Sequence, residues 1–155
     1  MKKVLVFLLF GAVAARAADL PAPAGAQAPA GTAVKDDHAK GDRPIHISHG
    51  QEIVLKDYLV TGKTTIFDFY SEYCPPCRAL SPLLEQLHQA RADVAVVKVD
   101  INRPGVVGID WDSPVVHEFG LDSIPHLKVY SPSGALQSQG DDARTLVIGW
   151  IQALN

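Results

Sequence analysis

The only two cysteines among the 155 residues are Cys74 and Cys77, separated by Pro75 and Pro76. Any disulfide within one molecule must therefore close inside that window. A two-residue spacer brings both sulfurs within bonding range if a helix starts at the first cysteine. Cys74 would then stand at the helix N-terminus, where unpaired backbone amides and the positive end of the dipole favour a thiolate. The spacing is that of a redox dithiol. The competing readings are inert thiols or half of a zinc site. Structural zinc usually takes four protein ligands, and no second CxxC exists.

The surrounding pattern supplies elements to position such a pair. Thr64 to Ser71 is rich in β-branched and aromatic residues and predicts a buried strand. A helix follows from Cys74 to about Ala92, with Leu80, Leu83, Leu84 and Leu87 at helical spacing and a kink expected at Pro82. Val94 to Ile101 predicts a second apolar strand, parallel to the first because a helix connects them. Cys74 would then emerge at the carboxyl end of a central strand, where open α/β sheets place their chemistry. Arg103 to Ser113 reads as a loop, and Pro114 to Phe119 as a short helix capped by Asp112 or Ser113. His126 to Ser131 and Ala135 to Gln139 predict a hairpin around Pro132-Ser133-Gly134, and Thr145 to Leu154 a closing amphipathic helix. Upstream, Ile45 to Ser48 and Glu52 to Leu55 suggest short strands around His49-Gly50, and Lys56 to Val60 a helical turn. The class is α/β, a mixed sheet flanked by helices. Asp68 interrupts the apolar run Ile66-Phe67-Asp68-Phe69-Tyr70. It is therefore expected to be buried and costly when ionised, the alternative being an exposed acid on an edge strand.

The first residues predict a leader. Met1-Lys2-Lys3 is basic, Val4 to Ala15 is apolar, and Ala15-Arg16-Ala17 offers small residues at a peptidase spacing. We expect a signal peptide over 1–17, a flexible Ala/Pro-rich linker over 18–43 and one folded domain over 44–155. The apolar run is shorter than the roughly 20 residues that span a bilayer, so a periplasmic or secreted protein without a stable membrane anchor after cleavage is expected. Loss of Lys2, Lys3 and Arg16 takes the basic residues from 14 to 11 against 17 acids, and the net charge from −3 to −6. No basic stripe accompanies that balance, which argues against nucleic acid as a partner.

The stretch Thr65 to Cys77 (TIFDFYSEYCPPC), the helix proline Pro82, Ile124-Pro125 before the strand HLKVYS, and Gly134 and Gly140 together resemble the thioredoxin-fold family over roughly Ile45 to Asn155. A CxxC after a strand with an Ile-Pro before a later strand is a specific combination. The resemblance implies a thioredoxin fold and roles for individual residues. Cys74 would be the exposed nucleophile and Cys77 the more buried resolving thiol. Asp68 would move protons to and from Cys77, with Lys98 beside it moderating its pKa. Pro125 would follow a cis peptide bond, letting the Ile124 backbone pair with an extended substrate segment. Tyr73, Pro75 and Pro76 would border the substrate. His126, after that proline, would face the dithiol and favour the thiolate as imidazolium, or else point to solvent.

Three departures mark this chain. Tyr73 stands where the family usually has Trp, and Pro75-Pro76 replaces the commoner Gly-Pro, removing one N–H. The connection Arg103 to Pro114 is longer than in compact members, and Trp111 is expected to pack beneath it, the alternative being a substrate platform. The implied activity is thiol–disulfide exchange with protein substrates, running as a reductant and recycled by a membrane redox partner. Neither a cofactor nor a metal is expected. The competing functions are a disulfide oxidase or isomerase and a non-enzymatic binding module.

Overall fold

The structure is a computed structural model that describes residues 40–154. The expected leader, and the linker up to residue 39, lie outside the described residues. A five-stranded mixed sheet runs in the order β1-β3-β2-β4-β5. Its strands are β1 (Ile45–Ile47), β2 (Thr64–Tyr70), β3 (Val94–Asp100), β4 (His126–Tyr130) and β5 (Leu136–Gln139). The first three are mutually parallel, and β4 and β5 add antiparallel. The helices are α1 (Pro75–Ala90), α2 (Pro114–Phe119) and α3 (Gly140–Gln152), with one 3₁₀ turn at Leu55–Tyr58.

Strand alternation sorts the core into two layers. Ile66, Val94, Val96, Leu127 and Val129 pack under α1 and α3, against Leu80, Leu84, Leu87, Ala143, Val147 and Ile151. Phe67, Phe69, Val97 and Val99 face the other way, against Val115 and Val116 of α2, Leu55 and Leu121. β2 and β3 are covered on both faces, which explains why they are apolar almost throughout. Asp68 and Lys98 break that rule, and both lie on the α1 side because each follows by two residues Ile66 or Val96, which face that way.

Several boundaries differ from expectation. Glu52 to Leu55 is not a strand. The turn at 48–50 is closed by Gly50 N–H donating to the Asp100 carbonyl (2.9 Å), which carries the chain away from the sheet edge. α1 ends at Ala90, short of the expected Ala92, and contains the exposed Pro82. Its buried stripe is Leu80, Leu84 and Leu87, while Leu83 turns to the surface. Ser113 holds the N-cap position of α2 without a side-chain capping bond. α3 starts at Gly140, five residues ahead of the expected Thr145, because Asp141 and Asp142 suit a first turn that the apolar pattern does not mark.

Candidate active site

β2 delivers the chain to the cysteines. After Tyr70 the backbone turns, with Cys74 N–H donating to the Ser71 carbonyl (3.1 Å) and Tyr73 N–H to Ser71 Oγ (3.2 Å). Cys74 is the N-cap of α1, with Pro75 and Pro76 opening the helix. Prolines suit those positions because the first-turn amides have no intrahelical acceptor. Cys77 N–H, which follows them, donates to Cys74 Sγ at 3.1 Å. A cysteine here thus receives both a directed hydrogen bond and the helix dipole, and each favours the anion over the thiol.

Cys74 and Cys77 are joined as a disulfide, their Cα atoms 5.3 Å apart. Both are covered, at 2% and 1% exposure. The expected exposed nucleophile is therefore corrected: in the disulfide form Cys74 is nearly as enclosed as its partner, tucked against the turn before β4. There the Ile124–Pro125 peptide bond is cis, and the Ile124 carbonyl oxygen lies 3.7 Å from Cys74 Sγ. That placement sets the Ile124 backbone against the disulfide. Tyr73, Pro75 and Pro76 are exposed around it.

Beneath α1 lies a buried charged pair. Lys98 Nζ is 3.0 Å from Asp68 Oδ2, with side-chain exposures of 1% and 0%. The strands impose this meeting, because Asp68 of β2 is in register with Lys98 of β3. Neither carboxylate oxygen has a well-directed hydrogen bond, so only the ion pair compensates the lost solvation. Burial pushes the Asp68 carboxyl up, and the Lys98 charge beside it opposes that rise. An acid held above its ordinary range exchanges protons more readily near neutral pH. Lys98 Nζ also donates to Ser81 Oγ. Ser81 is one turn past Cys77 on the same helix stripe, so α1 lies over the pair with Cys77 one turn nearer its N-terminus.

Three further residues complete this cluster and were not singled out from the sequence. Ser81 was recoverable as the residue four after Cys77. Tyr70, two after Asp68 and hence on its face, lays its ring 4.4 Å from Lys98 Nζ. His46 required the strand order: β1 sets it in register with Lys98, and its Nδ1 shares a 2.8 Å hydrogen bond with the Tyr70 hydroxyl.

Two other expectations change. His126 lies edge-on to Phe69, ring centroids 6.0 Å apart, in the layer opposite Asp68. Burial first, then Lys128, pushes its pKa below the ordinary value, which disfavours the imidazolium that would favour a thiolate. Trp111 does not pack beneath the 103–114 connection but stands 39% exposed. Polar bonds from Arg103 to Asp110 and from Asn102 to the Gly108 carbonyl close this loop, and its apolar contact with the core is made by Ile109. Among the described residues no cluster of three or more His, Cys, Asp or Glu gathers to hold a metal, and no helix is long and apolar enough to cross a membrane.

Sequence comparison accords with this geometry, the thioredoxin family matching residues 50–152. The chain belongs to the thioredoxin family. It is 33% identical over 67 residues to the thioredoxin of Mycoplasmoides gallisepticum, covering 43% of this chain and 65% of the relative. With the thioredoxin of Streptomyces clavuligerus it shares 32% identity over 74 residues, covering 48% of this chain and 62% of the relative. The match thus spans less than two thirds of either relative's length. Among solved structures, Trichomonas vaginalis thioredoxin superposes with a TM-score of 0.51 at 22% identity, covering 74% of this chain and all (100%) of that one. The long form of thioredoxin f from spinach chloroplast gives 0.51 at 19% identity, covering 77% and 93%. These two likenesses concern the fold. The Cys74–Cys77 pair fits the redox-active site of a thioredoxin family member.

Proposed function

We propose that the protein is a thiol–disulfide oxidoreductase that reduces disulfides in protein substrates. The observation that carries this reading is the Cys74–Cys77 disulfide at the N-terminus of α1, beside the Ile124 carbonyl. In the reduced enzyme the Cys74 thiolate attacks one sulfur of a substrate disulfide. A mixed disulfide forms, and the displaced substrate thiolate takes a proton from solvent. Cys77 then gives its proton to Asp68 and attacks Cys74 Sγ, which releases the second substrate thiolate and closes Cys74–Cys77. Two electrons pass from the dithiol to the substrate disulfide, so each turnover needs an outside reductant. The expected leader over 1–17 supports export, to the periplasm or the medium, with recycling by a membrane redox partner.

Reduction of a disulfide-linked polypeptide by dithiol-charged protein tests the reading. Wild type should turn over and Cys74→Ser should lose turnover completely. Unchanged activity in the variant would refute the assignment. The direction is read from the reduction potential. A value near the −270 mV or so of thioredoxin supports a reductant, whereas one near about −120 mV identifies a disulfide-forming oxidase.

A further inference from the structure

The connection between β3 and α2 is longer than the fold requires, and its construction is unusual for a surface loop. Arg103-Pro104-Gly105-Val106 forms a turn, with Val106 N–H donating to the Arg103 carbonyl (3.2 Å). Proline at the second position and Gly105 at φ 83° in the third are what a type II turn demands. Arg103 then clamps the far end of the loop. Its Nε and Nη2 donate to Asp110 at 2.7 and 2.8 Å, and its backbone N–H adds a third bond at 3.1 Å. Asn102 Nδ2 donates to the Gly108 carbonyl at 2.5 Å. The loop is also seated from behind. A Cβ on Gly50 would stand 2.6 Å from the Arg103 backbone nitrogen, so only glycine lets the 48–50 turn approach it.

These staples fix the loop, yet at its tip Val107 is 86% exposed. Between this tip and Tyr73, the residue before the nucleophile, lies a cleft of about 310 Å³. Its walls combine apolar surface from Tyr73 and Val107 with the carboxylates of Glu72 and Asp100. Its one strong cation, Arg103, is already neutralised by the two-pronged bond to Asp110 and sits near Asp112 as well. His49 faces Asp100 at 3.5 Å and stays largely in water. Asp100 Oδ1 also accepts from the Asn102 N–H (3.0 Å), a neutral donor, so the charge left on the cleft is negative.

We propose that this cleft is a specificity subsite that receives a basic residue with an aliphatic neighbour from the substrate polypeptide, a few residues from the disulfide under attack. The proposal rests on the disulfide-exchange reading above. Tyr73 and Val107 cover the aliphatic part, and Glu72 and Asp100 meet the ammonium or guanidinium. Because the loop is held before substrate arrives, little ordering entropy opposes docking. Neither the Ile124 edge nor the CxxC itself carries such charge selectivity.

The test uses two disulfide-bonded peptides that differ only in Lys-Leu against Glu-Leu beside the cysteine. They are assayed at pH 8, above the ordinary histidine range, with the full chain. Wild type should favour the Lys peptide about fivefold in kcat/KM at low salt, and 0.5 M salt should shrink that ratio. The Glu72→Gln/Val107→Ser variant should bring it below about twofold; since the ratio is taken within one protein, loss of folded material does not alter it. A small aromatic disulfide, too short to reach the cleft, serves as reference. Wild type that reduces this reference but treats the peptides alike overturns the subsite and leaves the exchange reading intact. A variant that keeps the full preference likewise overturns it. Wild type that reduces no disulfide at all overturns both.

Discussion

Two polar groups are buried where α1 meets the sheet, His88 on the helix and Asp68 on β2, and they are built on opposite terms. His88 is 2% exposed and fully satisfied. Its Nδ1 accepts from Val96 N–H at 2.9 Å, and its Nε2 donates to the Gly41 carbonyl at 2.8 Å. It meets Val96 one residue ahead of where β1 begins its pairing, at Ile45 opposite Val97, so the imidazole takes the place of a strand neighbour of β3 there and ties the Gly41 backbone to α1. Asp68 is as deeply buried, but its oxygens have no well-directed hydrogen bond and only Lys98 answers their charge. A buried group whose every atom is paired stabilises a single arrangement. One left with a charge poorly compensated is costly to stability and ready to change protonation state. The first arrangement is structural, and the second suits proton transfer to a thiol.

That division is tested most severely at His88. His88→Ala leaves the Val96 N–H buried without an acceptor and opens a cavity, so it should cost about 3 kcal/mol in urea unfolding. Disulfide-exchange kinetics per folded molecule should not change. The wild-type histidine also predicts an acid-side slope. Burial holds its folded pKa below the ordinary 6.5, against a smaller opposing effect of the Gly41 hydrogen bond. Over that window the unfolded chain binds more protons, so stability falls as pH drops below about 6.5. The slope should vanish in His88→Leu. A slower exchange reaction in either variant would erase the distinction.

Asp68→Asn should give the converse result. The resolving step, read as decay of a trapped mixed disulfide, should slow by roughly 10- to 100-fold, towards the low end for a positioned acid–base group. The pH-dependence has the opposite sign from His88. The folded pKa lies above the ordinary 3.8 because of burial, against the pull of Lys98. Between those two values the folded protein binds more protons than the unfolded chain. Stability therefore falls as pH rises through that window, and the variant should remove this slope. If the slope persists, Asp68 is not its source.

The contrast also shows which parts of the molecule can be read from sequence. Cys74, Cys77, Asp68 and Lys98 lie on β2, β3 and the start of α1, elements whose apolar patterns are continuous and mark their own limits. Their meeting follows from one parallel βαβ unit. The partners of that cluster are less legible. His46 reaches Lys98 only because β1 pairs beside β3, and nothing within Ile45–Ile47 encodes its neighbour. The failure at Trp111 has another cause. Aromatic bulk suggested a small core, but Arg103, Asp110 and Asn102 close the loop with polar bonds instead. α3 begins ahead of its own apolar period, because Gly140, Asp141 and Asp142 carry none.

The smallest expected effect concerns where the reactive region ends. Tyr70→Phe keeps the ring 4.4 Å from Lys98 Nζ and deletes only the hydroxyl that His46 Nδ1 meets at 2.8 Å. That hydrogen bond lies at the surface, so its loss should cost less than about 1 kcal/mol in urea unfolding. If Asp68, Lys98 and Ser81 form a self-contained unit, the pH profile of the resolving step should superimpose on that of wild type. A displaced profile would carry a different meaning. It would show that the His46–Tyr70 pair sets the position of the Lys98 ammonium against Asp68, since the ring itself remains. The reactive half of the comparison would then extend across three strands to the edge of the sheet, with a titratable surface histidine as its outer member.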